Sequence, residues 1–187
     1  MTPMRSLLRW VWSVSFVLLA VVSSSAAAAE VQAVKQLDTS AMLGDWKVVK
    51  YKEPPFGFLG KLFASLPDPK ECKKANVKYE SVDAGFKVTF SCPVPVPGKS
   101  PATKQYQVKY SDDSGFPGKL TWWFLRADRP HWVLMQTDRY LVIGGPKRWS
   151  LMILSRDGQL TSEEEAAING KLQAQGYDTA ELVAFGS

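Results

Sequence analysis

Cys72, Cys92 and His131 are the side chains of this 187-residue sequence with the clearest capacity for nucleophilic or metal chemistry, and their number limits what they can do. A thiolate nucleophile needs a basic neighbour to depress its pKa. Lys70, Lys73 and Lys74 lie near Cys72 along the chain, but neither cysteine stands in a recognisable catalytic motif. His131 is the only histidine, so a multi-histidine metal site cannot be assembled and a catalytic triad finds no support beyond it. One imidazole could ligate a haem iron, yet between Pro130 and Trp132 it reads as a rim or loop residue. The carboxylates Glu163 to Glu165 are accounted for by a helix start, and Gly144-Gly145-Pro146 is a turn, because no helix follows it to make a phosphate loop. These residues imply no metal and no cofactor, and they leave binding as the function to be positioned.

The elements available to position it are almost all strands. Trp46 to Lys52 is rich in β-formers and is cut off by Pro54-Pro55. Seven more strands follow at the spacing of a barrel or sandwich: Asn76 to Val82, Phe86 to Cys92, Thr103 to Tyr110, Lys119 to Leu125, Trp132 to Asp138, Tyr140 to Gly144 and Trp149 to Leu154. Asp83-Ala84-Gly85 and Asp112 to Gly118 supply turn chemistry between them. Eight antiparallel strands closed on themselves enclose room for one small ligand.

The last of the eight is apolar on both faces, so something other than water must cover the outer one. Thr161-Ser162-Glu163-Glu164 is a capping box that opens a helix, closed by Gly176, with Ile168 and Leu172 as its apolar stripe. Gly170 in mid-helix implies close approach to the barrel wall. Ala180 to Phe185 reads as a short final strand.

The N-terminus has the three-part layout of a secretory leader: Arg5 and Arg9, an apolar stretch from Trp10 to Val22, then small residues to Ala29. That stretch is short of the roughly 20 residues that span a bilayer. Residues 1–29 are therefore expected to be a signal peptide and 30–187 one domain. Loss of Arg5 and Arg9 lowers the formal charge from +5 to +3, and the remaining Lys and Arg are dispersed, which argues against nucleic acid. Two cysteines in an exported chain favour a disulfide. Counted back from the turn at Asp83 to Gly85, Cys72 and Cys92 fall near one another on neighbouring strands.

Three short blocks occur in fixed order: Gly44-Asp45-Trp46 at the first strand, Thr137-Asp138-Arg139-Tyr140 between the sixth and seventh, and Ser155-Arg156 after the eighth. With the strand and helix order above, they resemble the conserved blocks of the lipocalins, in particular the bacterial and apolipoprotein-D-like branch. The resemblance covers the mature chain and is most specific from Tyr140 through the helix; Pro54 to Pro101 matches least. It implies an eight-stranded up-and-down antiparallel barrel with one C-terminal helix packed outside and a short last strand. It also implies that Trp46 closes the barrel floor under Arg156, a structural cation–π pair, and that Asp138 accepts backbone N–H bonds in the turn ahead of Tyr140. No cysteine stands at the cleavage region, so the lipid that many bacterial members carry has no attachment point, and a soluble periplasmic or extracellular protein is expected.

With Trp46 pointing inward, the period of two sends Val48 inward too. The alternation of the resembled family puts Trp122, Phe124, Trp132, Leu134, Gln136, Ser150, Met152 and Leu154 on the lumen side, an apolar calyx in which Gln136 or Ser150 could orient a polar end. Phe56, Phe58 and Phe63 lie in a long apolar loop that strand order places at the mouth, where it could lid the pocket or dock on a lipid surface. The expected function is carriage of a small hydrophobic ligand. The alternatives are a thiol-dependent isomerase or pigment-modifying enzyme on the same barrel, and a closed barrel acting through its mouth loop.

Overall fold

Alternation of inward and outward side chains builds eight strands that close on themselves. The computed structural model describes residues 29–52, 74–93, 102–112, 115–124 and 127–185. The strands are β1 (Gly44–Lys52), β2 (Asn76–Val82), β3 (Gly85–Cys92), β4 (Ala102–Lys109), β5 (Lys119–Phe124), β6 (Ala127–Gln136), β7 (Tyr140–Gly144) and β8 (Leu151–Ser155). Each pairs antiparallel with the next, β8 pairs with β1, and β1 with β2, so the ring is complete. Closure removes the free edges that an open sheet would offer to other chains.

β1 carries both halves of the closure. Its first residues, Gly44 to Lys47, pair with Tyr79 to Asn76, while Lys47 to Lys52 pair with Ser155 to Leu151 across a bulge at Val49. Where β2 diverges, the two-residue β9 (Val183–Ala184) takes its place outside the barrel, opposite Tyr51 and Lys50. The rest of the expected final strand is a 3-10 turn, Thr179–Glu181, capped by the Asp178 side chain, which accepts from Ala180 N and so competes with pairing.

Two apolar clusters occupy the two faces of the wall. The inner one joins Trp46, Val48, Val77, Tyr79, Phe86, Val88, Val108, Leu120, Val133, Leu141, Ile143 and Leu154 from all eight strands. The outer one joins Leu134, Met135, Val142, Leu151 and Ile153 to the helix α2 (Ser162–Ala174) through Ile168 and Leu172. Both helix residues are 0 % exposed. Burial of such side chains stabilises by about 1.5–3 kcal/mol each. Thr161 Oγ1 accepts from Glu164 N at 3.1 Å and Glu164 Oε2 accepts from Thr161 N at 2.8 Å, the reciprocal box that starts the helix. Gly170 is exposed, with nothing within 4 Å of where a Cβ would stand, so the close approach expected from this glycine is not made. The helix touches the wall on the Ile168 and Leu172 stripe, and Gly170 lies off it.

The segment before β1 is tied across the wall and the closed end: Val34 N donates to Val133 O at 2.8 Å, and Val34 O accepts from Gly118 N at 3.3 Å. It ends in α1 (Thr39–Met42), capped by Asp38, which accepts from Ala41 N at 3.0 Å. Among the described residues no helix is long and apolar enough to cross a membrane.

Candidate ligand-binding calyx

The strand connections alternate between the two ends of the barrel, so the β2–β3, β4–β5 and β6–β7 turns and the end of β8 share one rim. That rim is sealed. Trp46 is 0 % exposed and donates Nε1–H to Met42 O at 2.8 Å. Arg156, following β8, stands over its ring with Cζ 3.6 Å from the centroid. The same guanidinium donates to Asp45 O at 3.0 Å and to Ala41 O at 2.6 Å. Gly44 enters this corner with φ +91°, a backbone conformation that side chains resist. In the β6–β7 turn, Thr137 Oγ1 accepts from Arg139 N at 3.2 Å and Tyr140 N at 3.0 Å, so the acceptor expected at Asp138 is Thr137; Asp138 is exposed.

Inside, the described wall is rich in aromatic side chains and carries a buried polar pair. Tyr79 on β2 and His131 on β6 are four strands apart either way round the ring, hence on opposite walls, and Tyr79 Oη lies 2.9 Å from His131 Nε2. The expectation of a rim or loop histidine is corrected: His131 is 5 % exposed within β6. The sequence hid this because Pro130 suggested a strand end. Burial pushes the imidazole pKa down to about 4, so it is neutral at physiological pH. Burial also pushes the Tyr79 hydroxyl well above the ordinary phenol range, with Tyr106 adding to the effect, and raises Tyr106 itself. Tyr106 packs against Trp122, ring centroids 4.9 Å apart, and meets the His131 ring edge-on at 6.1 Å. Tyr79 meets Phe86 edge-on at 6.1 Å.

A family model for a lipocalin-like domain matches residues 64–186, about two thirds of the chain. The chain belongs to the lipocalin family. No curated protein sequence is significantly similar to it. Among solved structures, this lipocalin is similar to insecticyanin from the tobacco hornworm (16 % identity, 85 % of each chain covered, TM-score 0.56). It is similar also to lobster apocrustacyanin A1 (12 % identity, 79 % of this chain and 78 % of that one, TM-score 0.56). A third is the siderocalin Ex-FABP, described as functioning through dual ligand specificities (16 % identity, 79 % and 95 % covered, TM-score 0.54). At these identities the likeness is one of fold.

Of the side chains expected to line the lumen of this lipocalin, Val48, Trp122, Met152 and Leu154 do face it. Trp132 and Leu134 do not: they belong to the outer cluster beneath α2, and His131 and Val133 take the inward positions. Both faces of β6 are covered, so apolar character alone could not tell one from the other, and a slip of one residue exchanges them. Gln136 is committed to the floor, where its amide accepts from Asp38 N at 3.1 Å and donates to Asp38 O at 2.6 Å. Ser150 is exposed and precedes β8. The side chain of Phe124, the loop residues Phe56, Phe58 and Phe63, and Cys72 lie outside the described residues. Cys92 is buried at the end of β3. Among the described residues no group of three or more His, Cys, Asp and Glu side chains is placed to hold a metal ion. The meeting of Tyr79, Tyr106 and His131 in the interior was not read from the sequence; the parity of β6 counted from Val133 puts His131 on the inward side.

Proposed function

We propose that this lipocalin binds and carries a small hydrophobic ligand inside its barrel. One observation supports the reading above others. The floor is sealed by fully buried side chains, while Tyr51, Phe90 and Met152 towards the mouth, and Tyr106 and Trp122 near mid-strand, are inward-facing but only partly buried. Apolar surface left accessible inside a closed wall is what a ligand would remove from water, at about 25 cal/mol per Å² before ordering costs. Val48, Trp122, Met152 and Leu154 are the expected residues that remain in the proposed site, with Phe124 on the strand that carries Trp122.

The finer reading places the protein outside the cytoplasm, exported through residues 1–29, with a Cys72–Cys92 disulfide, and in the bacterial and apolipoprotein-D-like branch. Phe56, Phe58 and Phe63 would guard the mouth or touch a membrane surface. The carrier reading requires no cofactor and no bond making.

Native mass spectrometry of the protein from its own host, followed by organic extraction, tests the proposal. A stoichiometric apolar molecule is expected. A bare polypeptide mass, with no change in tryptophan fluorescence across a panel of fatty acids, alcohols and retinoids, would remove the carrier reading in favour of a barrel filled by its own side chains.

A further inference from the structure

The Tyr79–His131 bond leaves polar capacity unused at the centre of the barrel. Tyr79 is 1 % exposed and His131 is its hydroxyl's partner. A buried O–H left without an acceptor is costly, so Tyr79 donates to Nε2 and the proton of the neutral imidazole sits on Nδ1. No hydrogen bond among the described residues engages Nδ1, and none engages the Tyr106 hydroxyl. No buried side-chain nitrogen or oxygen among them is orphaned, so both atoms stand beside space that a water or a ligand atom can enter. Two donors on rings 6.1 Å apart, with Trp122 packed on Tyr106, thus stand beside the apolar inner cluster.

We infer that this is a head-group site for an uncharged oxygen, a ligand carbonyl that accepts from His131 Nδ1–H and Tyr106 O–H while the apolar remainder of the ligand runs towards the mouth. The inference rests on the carrier reading above and gives it a chemical class. Two neutral donors in an apolar surround favour an acceptor that brings no charge, since a carboxylate brought to the same depth would lose its hydration without meeting a cation. The charged group on the inward side of β4 is Lys104, two residues nearer the mouth than Tyr106 and only part-buried. A carboxylic acid is expected to stop there.

The test uses three straight-chain ligands of equal length: an alkane, a methyl ketone and a carboxylic acid. Their Kd values are read from tryptophan fluorescence on the mature protein. The ketone should bind about tenfold more tightly than either of the others, the equivalent of two modest hydrogen bonds. Tyr106→Phe keeps the ring on Trp122 and removes only the hydroxyl; it should cut the ketone's advantage over the alkane, both measured on the variant, to about threefold. Because His131 is the only histidine, its two ring ¹⁵N resonances can be assigned without ambiguity, and ketone but not alkane should move the Nδ1 signal. Equal binding of ketone and alkane, or an unmoved Nδ1 signal with ketone bound, would overturn the inference and leave the carrier reading standing. Preference for the acid, abolished by Lys104→Gln, would overturn it in favour of an anionic head at the mouth. Binding of none of the three by a folded protein would overturn both.

Discussion

Arg156 holds Trp46 by its face and the two backbone segments beside it by their carbonyls: Cζ lies 3.6 Å from the ring centroid, and Nη1 and Nη2 reach Asp45 O and Ala41 O. One guanidinium therefore ties α1, β1 and the end of β8 together. A planar fork can do this and a point charge cannot. Arg156→Lys should keep the charge and lose at least one of the two carbonyl bonds, costing about 1–2 kcal/mol, and Arg156→Ala about 2–4 kcal/mol. Urea unfolding measures both, and an Arg156→Lys variant as stable as the wild-type chain would show that the fork does not matter.

The helix contacts separate packing from propensity. Ile168→Ala or Leu172→Ala should each cost about 2–4 kcal/mol, because both are fully buried between α2 and the wall. Gly170→Ala should stabilise by up to about 1 kcal/mol, since the site is helical, exposed and open. Thermal unfolding of the three variants would show opposite signs on one helix.

Acid should weaken the fold through His131. Its folded pKa, about 4, lies below the ordinary 6.5, so between those values the unfolded chain binds a proton that the folded chain refuses. Stability is then fully present above about pH 6.5 and falls as pH drops towards 4, by a total of about 3 kcal/mol. Asp38, Glu80 and Asp157 have carboxyls held below their ordinary values, chiefly by the Ser40 hydroxyl, the Lys87 ammonium and the Gln159 N–H respectively. Their contributions are lost only at lower pH, as each folded value is crossed. A His131→Gln variant should flatten the urea midpoint between pH 6.5 and 5; an unchanged slope would mean that the imidazole does not control it.

Cys72 and Cys92 are predicted to be joined. The intact mass should rise by two hydrogen atoms on reduction, and Cys72→Ser/Cys92→Ser should unfold about 3 kcal/mol more easily, the loop-closure value for roughly 20 residues. Two titratable thiols in the folded, unreduced protein would contradict the bond and reopen the question of a reactive thiolate.

The barrel was legible because turn residues and strand formers alternate at even spacing, and because the Gly44-Asp45-Trp46 block and Arg156 bracket the eight strands, and they meet at one corner. The interior was less so. On β8 the family alternation put Met152 and Leu154 inward, and both pack with the inner cluster. On β6 it failed: Trp132 and Leu134 are as apolar as any lumen residue, and hydrophobicity carries no label for which buried face a residue serves. Gly170 misled for a related reason, as a glycine in a helix looks alike in sequence whether it meets a wall or water. The central polar pair depends on a contact between residues 52 positions apart, which no local pattern encodes.

β9 is two residues long, yet it occupies the flank of β1 that β2 leaves bare. Phe185 N extends the contact to Val49 O at 2.8 Å, and the Phe185 ring meets Tyr51 edge-on at 5.3 Å. Without this short tail, β1 would present an unpaired stretch beside an aromatic side chain, a template on which the same strand from a second molecule could register. The short last strand thus covers that flank, and clipping the chain after α2 should leave an edge on which two copies can pair.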